Sequence, residues 1–316
     1  MKENKINVLV TGGAGHIGST LSIELAKIPY FKVTVVDNLL TGSLSNLSDH
    51  SEKVNFIEGD INDNKLTKDL INKYQFDYIF HYAAVVGVKR TQENPIMVLN
   101  DVYGIRNALD LALGSNCKRI FFASSSEVYG EPVEIPQQEE TTPLNSKIPY
   151  AVVKNLGESL LRAYEKEYGL PYTIFRFFNT YGPLQSDEFV ITKFIKNALL
   201  NLPLTIYGEG KQSRTFLHVR DNVSFTLKVL NKELFINKVV NVGSTIEISV
   251  LDLANLIIKL ANSKSKITFL DPLKEGDMTR RMPDISKLKK SYGSDLISLE
   301  SGISELIVNL ETSLNE

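Results

Sequence analysis

The run Gly12-Gly13-Ala14-Gly15-His16-Ile17-Gly18 constrains this chain more than any other stretch. It follows a short β-branched run, 6–11, and opens a helical pattern, 16–27. A second buried-strand pattern, 33–36, then ends in Asp37. Strand, glycine turn, helix, strand, acid is the order of a βαβ unit that grips a dinucleotide. Glycine permits the positive φ of a tight turn and lets backbone N–H groups approach a pyrophosphate. The helix start adds about half a positive charge toward it. A glycine turn alone often binds nothing; the flanking strand and helix and the downstream acid select the binding reading.

Asp37 chooses the cofactor. A carboxylate there accepts hydrogen bonds from both ribose hydroxyls and repels a 2′-phosphate. The next residues are Asn38 and Leu39, not arginine, so NAD is expected rather than NADP. His16 and Ile17 between the glycines, Asn38 beside the acid, and Asp60-Ile61 after the third strand complete the expected cofactor grip. Spacing alone leaves Asp60 open to either reaching the adenine amino group or capping a turn.

The pattern then repeats. Strands are predicted over 54–57, 78–81, 119–124 and 172–178, and helices over 64–73, 96–113 and 150–168. Such alternation predicts an α/β fold, a Rossmann-type doubly wound parallel sheet with helices on both faces. After Asn179 the rhythm changes, with a turn at Gly182-Pro183, a helix predicted over 192–201 and a strand over 204–207. The last stretch reads as short helices and loops. The expected division is a dinucleotide-binding domain over 1–178 with about 216–245, including a strand near 239–242. A smaller, interleaved C-terminal α/β substrate domain is expected over 179–215 and 246–316.

Composition closes off other classes. A net charge of -2 gives no basic footprint, so nucleic acid is not an expected partner. Cys117 is the single cysteine, which rules out an intrachain disulfide and suits a reducing, cytoplasmic setting. No apolar run approaches the roughly 20 residues of a bilayer span, so no membrane is expected. His16 and His81 lack ligand spacing, and no metal site is expected.

The chemistry points to Tyr150 and Lys154. Four residues apart on a helix, they share a face, about 6 Å apart along the axis. A free tyrosine titrates near pH ~10 and is a poor base at neutrality. Lowering its pKa by ~3 units takes ~4 kcal/mol, which nearby cations in a dry pocket can supply. The pattern recurs by chance in Tyr207-Gly208-Glu209-Gly210-Lys211, where two glycines make a turn. Tyr150 differs in opening a long helix downstream of Ser124-Ser125-Ser126-Glu127. A serine hydroxyl at that strand end can hold a substrate hydroxyl and pass its proton to Tyr150.

TGGAGHIGS, Asp37, GDI at 59–61, HYAA at 81–84, SSSEVYG at 124–130, YAVVK at 150–154, RFFNTYGP at 176–183 and YGEGKQSRTFLHVRD at 207–221 fall in one order. Together they resemble the extended short-chain dehydrogenase/reductase family, and within it the NAD-dependent nucleotide-sugar epimerases, dehydratases and decarboxylases. The resemblance runs over nearly the whole chain. It implies a held NAD that is reduced and reoxidised in each turnover. Tyr150 would be the base on a sugar C4 hydroxyl, Lys154 the ribose and phenolate partner, and Ser125 the family's Ser/Thr. It also implies that Asn179, Arg214 and Arg280 hold the diphosphate, that Tyr207 lies near the nucleotide base, and that helices 96–113 and 150–168 form a homodimer interface.

Two positions bear on the outcome of the reaction. The dehydratases that this chain resembles carry Asp-Glu where Ser126-Glu127 stands, so dehydration is disfavoured. UDP-glucuronate decarboxylases carry Ser-Glu there. Those enzymes usually place Arg after Gly-Pro, however, and here Leu184 follows Gly182-Pro183. The expected activity is a UDP-hexose 4-epimerase, with a UDP-glucuronate decarboxylase as the alternative. Alternatives of other classes are a non-catalytic NAD-binding sensor, opposed by Ser125, Tyr150 and Lys154, and an NADPH ketoreductase, opposed by Asp37.

Overall fold

The structure, a computed structural model, describes residues 5–272 and 278–315. Its centre is a seven-stranded sheet: β1 (Ile6–Thr11), β2 (Phe31–Asp37), β3 (Val54–Glu58), β4 (Tyr78–His81), β5 (Arg119–Ser125), β6 (Tyr172–Phe177) and β7 (Lys238–Val242). The spatial order is β7-β6-β5-β4-β1-β2-β3. The pairings β3·β2, β2·β1, β1·β4, β4·β5 and β5·β6 are parallel. Along β7, Asn237 N donates to Tyr172 O at one end, at 2.7 Å, and Phe178 N to Val242 O at the other, at 2.9 Å. That strand therefore runs the same way.

A parallel sheet is covered on both faces, so its strands are apolar throughout rather than alternating. β5, RIFFASS, is buried at every residue. Alternate residues still serve different faces. Phe80, Phe121 and Phe175 stack in a row at 4.4 and 6.0 Å, closed by Phe225 of helix Val219–Asn231 at 6.2 Å. Ile79, Ile120, Phe122 and Ile174 pack with Ile105, Leu109, Val153 and Leu161, from helices Pro95–Gly114 and Pro149–Tyr168. The order reverses between β1 and β4, the switch point where open α/β sheets bind ligands at the strands' carboxyl ends.

The chain divides into two compact units. The first holds Met1–Val128, Ser146–Phe177 and Val223–Val240; the second holds Tyr129–Asn145, Phe178–Asn222 and Asn241–Glu316. These bounds differ from the expected 1–178 with 216–245, chiefly because Tyr129–Asn145 groups with the second unit. Long-range hydrogen bonds hold it there. Gln137 N donates to Met282 O and Asp284 N to Gln137 O, both at 2.8 Å. Asn241 bonds Gln137 O through Nδ2 at 2.9 Å and accepts from Tyr129 Oη at 2.8 Å.

The second unit has its own core of Tyr181, Phe194, Ile195, Leu204, Leu253 and Ile303 with their neighbours. It is built on helices Val190–Leu199, Val250–Leu260 and Leu299–Asn315. The last spans 17 residues, longer than the short helices expected there; Ile303, Leu306, Ile307 and Leu310 supply one apolar face. Among the described residues, no helix is long and apolar enough to cross a membrane.

Candidate active site

The glycine loop lies at the carboxyl ends of β1 and β4. Gly12 has φ +70°, and a Cβ there would stand 2.6 Å from Ala83 N. A Cβ on Gly18 would stand 2.1 Å from Gly12 O. No side chain fits at either point, so the loop packs closely against the end of β4 and the first turn of helix His16–Ala26, and a helix start of this kind favours a pyrophosphate. The Asp37 carboxylate is 8% exposed and buttresses the loop, accepting from Ala14 N at 2.9 Å and Leu39 N at 2.8 Å. A carboxylate offers about four lone-pair sites, so acceptor capacity remains for ribose hydroxyls. Asn38 Nδ2 donates to Asp60 Oδ2 at 3.1 Å, while Asp60 Oδ1 accepts from Asn62 N at 2.8 Å. Asp60 thus both closes a turn and stands beside Asn38. Ile61 is buried next to it, and its carbonyl accepts from Asn107 Nδ2 at 2.8 Å. His16 and Ile17 are half-buried in the first helical turn. These groups fit a dinucleotide.

The sequence reading missed the brace behind this loop. The Ala14 carbonyl accepts from Ser43 N at 3.1 Å and from Asn46 Nδ2 at 2.8 Å. Only Gly42 hints at it locally. We expect Gly18→Ala to displace this packed loop. NAD content of the purified protein should fall at least about tenfold, and the fold should lose roughly 1–3 kcal/mol to overpacking. NAD content measured after denaturation and a urea melt would check both; full occupancy would show that the loop tolerates the shift.

Tyr150 stands in the first turn of helix Pro149–Tyr168, after Pro149 at the start. That end of a helix favours an anion. Lys154, one turn on, is 4% exposed. Its ammonium lies 5.7 Å from the Tyr150 ring centroid and 5.0 Å from that of Phe122. Burial brings the Lys154 amine down from the ordinary 10.5 to about 8, and the charge of Asp101 opposes the fall. His81, buried and then repelled by Lys154, is pushed down to about 3. It therefore stays neutral, sharing a 2.9 Å hydrogen bond between Nδ1 and Thr11 Oγ1, and adds no competing cation. Asp101 accepts from Val85 N at 2.7 Å, and burial raises its carboxyl.

Ser125 ends β5, and its Oγ accepts from Glu127 N at 3.1 Å. That bond leaves the serine O–H proton available to donate. Ser126 and Glu127 follow in a short 3-10 turn, Ser126–Tyr129, with Ser126 buried and Glu127 half-buried. The first unit thus carries Ser125, Tyr150 and Lys154 with the glycine loop. Asp101 was not singled out from sequence, because nothing local marks a helical Asp as the neighbour of a lysine far along the chain.

In the second unit, Asn179, Arg214 and Arg280 gather around strand Ser213–Thr215. Asn179 Nδ2 donates to Thr215 O at 2.9 Å. Arg214 pairs in register with Ile248, and Ser213 bridges to Arg280. The Arg280 fork is closed on Glu247, with Nε to Oε1 at 2.7 Å and Nη2 to Oε2 at 2.5 Å. Sequence gave no sign of this carboxylate partner. Tyr207 is 40% exposed at the end of strand Leu204–Tyr207, and its carbonyl accepts from Gln212 Nε2 at 3.2 Å. Leu184 is 47% exposed with φ +67°. Among the described residues, no cluster of His, Cys, Asp and Glu is arranged to hold a metal ion.

The family model described as NAD dependent epimerase/dehydratase family matches residues 8–243. The chain is 37% identical to the UDP-N-acetyl-alpha-D-glucosaminuronate decarboxylase of Bacillus cytotoxicus, over 96% of this chain and 97% of that protein. It is 34% identical to a Bacillus subtilis protein named as an uncharacterized UDP-glucose epimerase, over 97% of this chain and 98% of that one. A crystal structure of UDP-glucose 4-epimerase with UDP-glucose, from Thermotoga maritima, matches at a TM-score of 0.92 and 29% identity. The match covers 98% of this chain and 100% of that one.

Proposed function

The chain belongs to the NAD-dependent epimerase/dehydratase family, and from that premise we propose that it is a UDP-hexose 4-epimerase. It is an NAD-dependent enzyme of the nucleotide-sugar epimerase and decarboxylase group; the proposal concerns which reaction it runs. The carrying observation is Tyr150 in a helix's first turn with the buried Lys154 ammonium beside its ring. The loop at Gly12, Gly15 and Gly18 would hold the cofactor pyrophosphate, Asp37 the adenosine ribose, and Asn38, Asp60 and Ile61 the adenine end. A bound NAD would supply a hydride acceptor, and then a hydride donor, for a sugar carbon. Tyr150 takes the C4 hydroxyl proton as that hydride leaves and gives a proton back when hydride returns to the other face. Lys154 stabilises the phenolate, and Ser125 orients the C4 oxygen. The Rossmann-type unit is then the NAD-binding part. The second unit is the nucleotide-sugar part, with Asn179, Arg214 and Arg280 on the diphosphate and Tyr207 near the base. Arg280 would trade a Glu247 oxygen for a phosphate oxygen, which guanidinium binds in the same forked way.

Leu184 favours epimerisation, because an apolar side chain replaces the cation that a carboxylate substrate would use. Ser126-Glu127 and the similarity to a decarboxylase favour the second reading, loss of CO₂ from a UDP-uronate with Glu127 near C5. Purified protein incubated with UDP-glucose, UDP-galactose, their N-acetyl counterparts and UDP-uronates, without added cofactor, separates the two by NMR. Interconversion of the C4 epimers supports the proposal. Release of CO₂ from a uronate replaces it, and no product from any sugar returns the sensor reading. Tighter calorimetric binding of NADP than of NAD would overturn the role given to Asp37.

We also propose a homodimer in a cytoplasmic setting. Ile96, Leu99 and Tyr103 on one helix and Val152 and Leu156 on the next are 70, 39, 59, 43 and 43% exposed. Their three- and four-residue spacing gives each helix one apolar stripe, which a second copy would cover. Tyr103→Glu with Leu156→Glu should move the light-scattering mass from twice the chain to the 35.4 kDa of one chain. A wild-type mass already at one chain would refute the dimer.

A further inference from the structure

The helix that carries Tyr150 and Lys154 continues the same stripe with Glu158 and Arg162, each four residues further on. Glu158 is fully buried. Its carboxylate accepts four hydrogen bonds: from Ser124 Oγ at 2.7 Å, Arg176 Nε at 2.8 Å, Arg176 Nη2 at 2.7 Å and Arg162 Nη2 at 3.0 Å. That fills the roughly four lone-pair sites a carboxylate has. Arg176 is 1% exposed and stands opposite Ser124 in the β5·β6 register. Burial by itself would push the Glu158 carboxyl up; the hydrogen bonds and charge of Arg176, then Ser124 and Arg162, bring it below the ordinary value.

A buried ion pair is a poor source of net stability, since apolar residues of similar volume serve as well or better. What it supplies here is geometry. A bidentate fork fixes direction as well as distance; this one joins the helix to β6, and the Ser124 bond joins it to β5. Ser124 is the residue before Ser125, and Glu158 lies one turn beyond Lys154. A Cβ on Gly157 would stand 2.5 Å from Phe122 Cζ, and the same ring lies 5.0 Å from the Lys154 ammonium. The helix therefore meets β5 at three successive points: Lys154 and Gly157 on Phe122, and Glu158 on Ser124.

We propose that Glu158, through Arg176 and Ser124, is a positioning residue that sets the placement of Tyr150 and Lys154 relative to Ser125. The activity arm of its test rests on the function proposed above; the spectroscopic arm needs no substrate. In the holoenzyme, the Tyr150 phenol is titrated by phenolate absorbance, as the difference between spectra with and without Tyr150→Phe. The charge-neutral pair Glu158→Leu/Arg176→Met, and separately Ser124→Ala, should raise the phenol pKa by about one unit, a tenfold loss of phenolate at a given pH. At neutral pH kcat should fall about tenfold, with KM within about twofold.

Sign separates positioning from simple charge. Glu158→Gln removes an anion about 12 Å along the helix axis from Tyr150. If charge were the only influence, the phenol pKa would fall; lost positioning raises it. A fall in Glu158→Gln, or an unchanged phenol pKa in both the apolar pair and Ser124→Ala, overturns the proposal. Should the apolar pair fail to fold, Ser124→Ala carries the same test, because it removes one bond and leaves the ion pair. Should the phenol shift while no protein, wild type included, turns over a nucleotide sugar, positioning stands and the sugar reading falls.

Discussion

Tyr150→Phe should lower kcat about a thousandfold or more at neutral pH while leaving NAD bound. The substitution removes one oxygen and keeps the ring against which the Lys154 ammonium lies at 5.7 Å. It leaves untouched Gly12, Gly18 and Asp37, the proposed cofactor grip at the ends of β1 and β2. A positioned general base contributes about 10²–10⁴-fold, and in the proposed reaction Tyr150 serves in both half-reactions, so the loss belongs at the upper part of that range. Steady-state rates with the preferred sugar, beside NAD content measured after denaturation, check both parts. A rate close to wild type would remove Tyr150 as the base. A parallel loss of NAD would show that the phenol oxygen holds the cofactor as well as moving a proton.

The sequence announces this chemistry because its signals are local. The glycine loop is legible since each glycine is demanded by backbone a few residues away: Gly18 by Gly12 O, and Gly12 by the β4 end it abuts. Strand 78–81 and helix 64–73 are predicted to the residue; the helix starts after its cap Asp63, whose side chain accepts from Lys65 N. What sequence leaves unread depends on pairs far apart in the chain. Gln137 joins the second unit through Met282 and Asp284, and nothing in a proline-rich loop names those partners. Arg280 reads as a phosphate ligand from its motif, but nothing near it in the chain names Glu247 as the carboxylate in its fork. Glu158 lies on the Tyr150–Lys154 stripe and was within reach of a spacing argument, yet only the packing of Arg176 shows why a glutamate is buried there.

Lys154 carries the second large effect, in which stability and activity move in opposite directions. Its folded pKa of about 8 lies below the ordinary 10.5, mainly because burial penalises the ammonium. Below pH ~8 the lysine is charged in both states, and the folded protein bears the whole desolvation cost, about 3 kcal/mol for such a shift. Between the two pKa values the unfolded chain holds more protons than the folded one, so stability rises with pH and the cost is relieved. Lys154→Met keeps an unbranched chain and removes the charge. NAD-free Lys154→Met should therefore be more stable than wild type at neutral pH by up to about 3 kcal/mol, with the gap closing as pH approaches ~10.5. Asp101 loses the charge that favours its ionised form, so the gain is smaller in the single variant than in Lys154→Met/Asp101→Asn. Urea melts at several pH values, with m unchanged, read this directly. A stability difference that stays flat with pH would mean that Lys154 is not desolvated. Activity should drop at least about a hundredfold, because no ammonium remains to hold the phenolate. In the proposed reaction the cost of burying Lys154 is offset by what its ammonium does for the Tyr150 phenolate, whereas packing alone would favour methionine.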